Sequence, residues 1–178
     1  MTGWGGGGTL PPMSTPLDVT RIHTEIKQGQ PFRSAAQEAM VAIARTASMV
    51  ERQSSRVLGR FGLSTAQYNV LRILRGAGTA GLPTLAIRER LIDPAAAITR
   101  LVDKLDRAGL LERERTSTDR RQVTCRITPA GLDLLTQVDP EVERLASVLA
   151  DALGVEELTD FNRKLDRFRA GLRVGGCG

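Results

Sequence analysis

The sequence predicts a mainly α chain with a small β element, and three observations carry that reading. Apolar residues recur at three- and four-residue steps through most of the chain from Ser34 onward. Residues 110–127, Leu-Leu-Glu-Arg-Glu-Arg-Thr-Ser-Thr-Asp-Arg-Arg-Gln-Val-Thr-Cys-Arg-Ile, read instead as a hairpin whose tip carries Asp119, Arg120 and Arg121. Directly before that hairpin lies a capped helix, residues 94–107, closed by Gly109. A helix followed by a basic hairpin is a winged helix-turn-helix, an arrangement suited to reading duplex DNA. The order of the two pieces settles more than either would alone.

Each element has its own justification. Residues 1–16 hold Trp4, four consecutive glycines and three prolines, a composition that cannot offset the entropy of ordering. Leu17 to Ile26 can form a short amphipathic helix, ended by Gly29 and Pro31. From Ser34 to about Leu58 there is no Gly or Pro, and Met40, Val41, Ile43, Ala47, Val50, Val57 and Leu58 give a helix with a broad apolar face. Gly59 and Gly62 mark its end. Ser64 with Gln67 has capping-box spacing, and Tyr68, Val70, Leu71, Ile73 and Leu74 follow as the apolar face of a helix that stops at Gly76 and Gly78.

Pro83 can open a short helix through Ile87 and Leu91. Asp93 then caps and Pro94 takes the first helical position of the next helix, whose buried stripe is Ile98, Leu101, Val102 and Leu105. Two such helices a couple of residues apart are a helix-turn-helix. After the hairpin, Thr128 and Pro129 repeat the cap-plus-proline pattern. Pro140 is expected to start a new helix or kink the old one, Gly154 to end that segment, and Leu158, Phe161, Leu165 and Phe168 to line a last helix. Fraying is expected from Gly171 onward. The resulting division is a weakly ordered extension over 1–30, a dimerisation helix over 31–62, a DNA-binding domain over 63–138, further dimerisation helices over 139–171 and a disordered tail over 172–178.

Composition narrows the function classes. Lys plus Arg number 25 against 20 Asp plus Glu, for a net charge of +5 in 178 residues. The excess lies in the middle: Arg113, Arg115, Arg120, Arg121 and Arg126 crowd the hairpin, while acids predominate over 139–170. Two cysteines, Cys125 and Cys177, make no disulfide framework, and one histidine, His23, makes no zinc cluster. No signal peptide or membrane-length apolar run is legible, so a cytoplasmic, nucleoid-associated protein with no membrane partner is expected. No Gly-rich phosphate loop follows a strand, no metal triad exists, and no cofactor is implied. An enzyme is not expected. A helical protein–protein module would account for the long helices but leaves the basic hairpin without purpose.

Four stretches together carry a family resemblance: Leu63-Ser64-Thr65-Ala66-Gln67-Tyr68-Asn69-Val70-Leu71; Ile98-Thr99-Arg100-Leu101-Val102-Asp103-Lys104-Leu105-Asp106-Arg107-Ala108-Gly109-Leu110; Asp119-Arg120-Arg121; and Ile127-Thr128-Pro129-Ala130-Gly131. Over about residues 32–170 the chain resembles the MarR family of bacterial transcriptional regulators. The resemblance implies a homodimer whose first and last helices entwine, with one winged helix-turn-helix per chain on a pseudo-palindromic operator. It also implies repression relieved by a small phenolic ligand or an oxidant.

The candidate DNA-binding residues follow. Ala95, Ala96, Ala97 and Thr99 open the recognition helix, small enough for close approach to a groove. Arg100 could reach guanine or phosphate, or pair with Asp103 or Asp93; Lys104 lies further along. Period two puts Arg113 and Arg115 on one face of their strand, toward phosphate or solvent. At the tip Thr118 suits a backbone contact, and Asp119 can hold one arginine while the other projects. By the resemblance, Arg121 enters the minor groove and Arg120 pairs with Asp119; the residues alone do not separate those roles. Arg45, Met49, Arg52, Phe61 and Tyr68 are candidates to hold a small aromatic or anionic effector, although both arginines also read as surface groups on a long helix. Thiol sensing in the family generally uses a cysteine near the start of the first core helix; none precedes Cys125 here. That departure leaves only an unusual switch through Cys125 or Cys177.

Overall fold

The computed structural model describes residues 20–115 and 123–174. Its contacts divide the chain into two units, Met1–Ala44 and Arg45–Gly178, each taken here by itself. In chain order the elements are α1 (Ile22–Glu25), α2 (Ala35–Gly59), α3 (Thr65–Ala77), a 3-10 turn (Gly78–Ala80), β1 (Leu82–Pro83), α4 (Thr84–Arg90), α5 (Ile98–Arg107), β2 (Leu111–Arg115), β3 (Val123–Ile127) and α6 (Pro129–Val174). Mainly helical with a small antiparallel sheet, this is a winged-helix fold.

The first unit contributes α1, shorter than the helix expected over 17–26, and the beginning of α2. The second unit holds the core. Tyr68, Val70, Leu71 and Leu74 line the buried face of α3, and Ile87 of α4, Val102 and Leu105 of α5, Leu111, Cys125, Leu135 and Val138 close around them. Burial of so many branched side chains stabilises each by about 1.5–3 kcal/mol relative to exposure. The α3 start is as its residues require. Ser64 Oγ accepts from the Gln67 amide at 3.2 Å, and Gln67 Oε1 accepts from the Ser64 amide at 3.0 Å.

The sheet has the order β1-β3-β2, all antiparallel. Sequence periodicity reveals the β2–β3 hairpin but not β1, because two residues are too few to show alternation. Pro83 is therefore not the first residue of a helix. It pairs with Thr124 in β1 and stands at the N-cap of α4 (φ −60, ψ 146), an edge position where its missing N–H costs no ladder bond. Leu82 lies opposite Cys125 in the same register. Gly81 before it has φ +66, and a Cβ there would come within 2.5 Å of the Cys125 carbonyl oxygen.

The Thr128-Pro129-Ala130-Gly131 corner ties α6 to the sheet. Thr128 donates its amide to the Leu110 carbonyl at 3.2 Å and its hydroxyl to the Gly109 carbonyl at 2.7 Å, while its Oγ1 accepts from the Gly131 amide at 3.1 Å. Gly131 is glycine because any Cβ there would collide with the Leu110 carbonyl. Pro140 neither ends nor restarts the helix: α6 continues through it. Proline removes the backbone bond to Thr136 without ending α6, and the break comes at Gly154 (φ 70, ψ 167), in a region few other residues adopt. Nor does helix end at Gly171; it runs on to Val174, one glycine costing only about 1 kcal/mol of helix propensity.

Candidate nucleic-acid interface

The helix-turn-helix is α4 and α5, joined by residues 91–97. That connection is longer than the sequence suggests, and the reason is local. Asp93 Oδ1 accepts from the Ala95 amide at 2.9 Å and the Asp93 carbonyl accepts from the Ala96 amide at 3.1 Å, so the side chain closes a turn instead of capping a helix. Ala97 (φ −70, ψ 76) is still outside the helical region, and the first bond of α5 runs from the Leu101 amide to the Ala97 carbonyl. Pro94 is thus in the turn and not at the first helical position. Ala95, Ala96 and Ala97 precede α5 and do not form its first turn. The turn is pinned to α3 through the Ile92 amide, which donates to Asn69 Oδ1 at 3.0 Å.

On α5 the inward stripe is Ile98, Leu101, Val102 and Leu105, as its periodicity requires. Thr99, Arg100 and Lys104 are exposed. Arg107, which the sequence reading passed over, is exposed too and falls on the same helix face as Arg100 and Lys104, at i, i+4 and i+7. That spacing was the available signal. Among the described residues none of these three cations has a side-chain partner.

Asp103 and Asp106 occupy the flank of the same helix. Arg113 of β2 donates from Nη1 to Asp103 Oδ1 at 2.8 Å and from Nε to Asp106 Oδ2 at 2.8 Å, with Nη2 2.7 Å from that oxygen. The hydrogen bond to Asp106, with the attraction of both carboxylates, raises the Arg113 pKa above its ordinary value. Arg113 is thus tied to the flank of α5 while its side chain remains partly exposed to solvent. Arg115 is paired with Val123 at the outer end of the β2–β3 ladder. Thr118, Asp119, Arg120 and Arg121 lie outside the described residues.

The candidate effector residues are spread out. Met49 and Arg52 are exposed on α2, Arg52 donating to Ser48 Oγ at 3.0 Å, and Arg45 is half-buried one to two turns before them. Phe61 packs against the core. Tyr68 is buried and its hydroxyl donates to Asp139 Oδ1 at 2.9 Å; Asp139 Oδ2 takes Arg75 at 2.5 Å. Burial, then the Asp139 bond, pushes the Tyr68 pKa up to about 12. Burial also pushes Asp139 upward, but the hydrogen bonds from Arg75 and Tyr68 outweigh it and leave its pKa below the usual value. A cleft of about 220 Å³ in the same unit is lined by Glu51, Thr65, Ala66, Asn69, Leu91, Ile92, Asp93 and Ala96, and by none of those five. Cys125 is fully buried in β3, and burial raises its pKa, which disfavours the thiolate.

Comparison with known proteins fits this geometry. The MarR family model matches residues 63–123. The transcriptional regulator PecS of Dickeya dadantii (strain 3937) is 30% identical over 128 residues, 70% of this chain and 76% of PecS. The crystal structure of a MarR transcription factor from Planctomyces limnophilus is 35% identical, covers 76% of this chain and 98% of that one, and superposes with a TM-score of 0.60. The chain belongs to the MarR family. It is therefore a transcriptional regulator with a DNA-binding fold, and not an enzyme. At 19% identity MepR of S. aureus, solved in complex with DNA, shares the fold over 74% of this chain and 96% of its own, with a TM-score of 0.68. No helix among the described residues of this MarR-family chain is long and apolar enough to cross a membrane.

Proposed function

We propose that this protein is a homodimeric repressor that binds a pseudo-palindromic DNA duplex, with α5 in the major groove and the wing tip at the adjacent minor groove. The observation that carries this is the exposed face of Arg100, Lys104 and Arg107, without side-chain partners among the described residues, on α5 of a MarR-family winged helix. Thr99 and the small Ala95, Ala96 and Ala97 at the helix entrance allow close approach, and few polar groups there reach base edges. Phosphate contact and DNA shape then contribute much of the specificity. At the tip, Arg121 is assigned to the minor groove and Thr118 to the backbone, with Asp119 holding Arg120. Such a protein works at the nucleoid.

Dimerisation is assigned to residues 31–62 and 139–171, leaving 63–138 as the DNA-binding part. Past Val138 none of the described α6 side chains is buried, and Val148, Leu153, Val155 and Phe161 are exposed, as are Met49 and Val50 on α2. Apolar surface on this scale suits a symmetric partner. Release by a small anionic aromatic effector is supported by Arg45, Met49 and Arg52 on successive turns of α2 and by the burial of Cys125, which disfavours thiol chemistry.

The test is selection of bound fragments from a random-sequence duplex pool with the full chain. Enrichment of inverted repeats supports the reading; no binding of any duplex at low salt contradicts it. Titration of the resulting complex with salicylate-like acids, and separately with peroxide with and without reductant, tests release. Thiol-reversible release by peroxide, abolished in Cys125→Ser, would overturn the effector class.

A further inference from the structure

We propose that Arg113 is a positioning residue of the DNA-binding surface: it holds the wing strand β2 against α5 and offsets part of the negative charge of two carboxylates beside the cationic face, without itself contacting DNA. The inference rests on the DNA reading above and changes the role of one residue that the sequence places at the interface.

Its basis is strand geometry. Among the described residues β2 is an edge strand, paired with β3 alone. Period two puts Leu111 and Arg113 on the same side, and Leu111 is buried in the core. Arg113, two residues further out on that face, meets the flank of α5, where Asp103 and Asp106 stand at i and i+3. Its Nε, Nη1 and Nη2 all lie 2.7–2.8 Å from carboxylate oxygens of those two residues. A planar guanidinium can span both partners at once; the single ammonium of lysine presents no such fork. A guanidinium held at every nitrogen is poorly placed to reach a phosphate.

Charge adds a second consequence. Asp103 is next to Lys104 in sequence and lies between Arg100 and Arg107. Left unpaired, two carboxylates on the recognition helix would repel the phosphates those cations attract. Arg113 reduces that repulsion and fixes the wing in the same set of contacts.

The experiment compares the wild-type chain, Arg113→Gln, Arg113→Lys and the double variant Asp103→Asn/Asp106→Asn. The probes are the duplex enriched in the selection and a scrambled duplex of equal length and composition. Arg113→Gln is expected to weaken binding to the enriched duplex about tenfold, the scale of a charge-assisted hydrogen bond, with a smaller effect on the scrambled one. Arg113→Lys, which keeps the charge, is expected to lose most of the same affinity. The decisive sign is that of the double variant. Positioning predicts weaker binding although two negative charges have gone. A direct phosphate contact by Arg113 predicts binding as tight as wild type or tighter, and that result would overturn the proposal, as would wild-type affinity for Arg113→Gln.

Amide exchange in the free proteins provides a readout without DNA. Faster exchange of β2 in Arg113→Gln and in the double variant, with α3 unchanged, is expected; unchanged β2 exchange in both counts against the clamp. If the wild-type chain enriches no duplex, the DNA reading has failed, and the exchange result still decides whether Arg113 holds the wing.

Discussion

Tyr68 is the chain's one tyrosine, with its ring in the hydrophobic core and its hydroxyl on Asp139 of α6. Because the folded pKa, about 12, exceeds the ordinary tyrosine value of 10.0, this group's contribution to stability is present below pH 10 and lost as pH rises toward 12. Tyrosinate absorbance should therefore titrate near 12 in the folded protein and near 10 in denaturant; a folded midpoint at 10 would contradict the buried hydrogen bond. Asp139 runs the opposite way. Its lowered pKa contributes stability above the usual carboxylate value of 3.8 that is lost as pH falls below it, and Asp139→Asn should flatten that acid limb in a denaturant titration. None of this was legible in the sequence, because Tyr68 and Asp139 are 71 positions apart and only the fold joins them. The Ser64–Gln67 capping box was legible, since both halves lie within one turn. Arg113 shows the middle case: the sequence put it on a strand face toward phosphate or solvent, but the hairpin packs so that it meets Asp103 and Asp106 of α5.

Among the elements, those with their own periodicity were readable and those defined by their neighbours were not. The stripe of Ile98, Leu101, Val102 and Leu105 is where its spacing put it, while the start of α5 moved because Asp93 bonds within its own turn. β1 exists only because β3 is beside it. The Gly131 requirement belongs to packing as well, since it arises from a carbonyl of residue 110. Two substitutions test these local accounts by denaturant unfolding. Ser64→Ala should cost about 1 kcal/mol, the usual loss of a helix cap. Gly131→Ala should cost more, since either α6 or the Leu110 backbone must shift; a neutral Gly131→Ala would mean the corner is looser than its hydrogen bonds indicate.

For the whole molecule, the core closes around α3, α4, α5 and the sheet, while Val148, Leu153, Val155 and Phe161 of α6 are exposed in the single chain. Those side chains are expected to be covered by a second copy, so sedimentation at micromolar concentration should show a dimer, and a well-folded monomer would remove that assignment. A dimer with one α5 per chain has a geometric requirement that a lone basic helix lacks. The most direct test is therefore affinity of the full chain for the enriched duplex as the separation of its half-sites is varied. We predict one dimer per duplex, tightest with half-site centres about one helical turn apart, roughly 34 Å, and sharply weaker when about half a turn is inserted between them. Equal affinity at every spacing, or for a single half-site, would contradict a paired reading of DNA by two α5 helices.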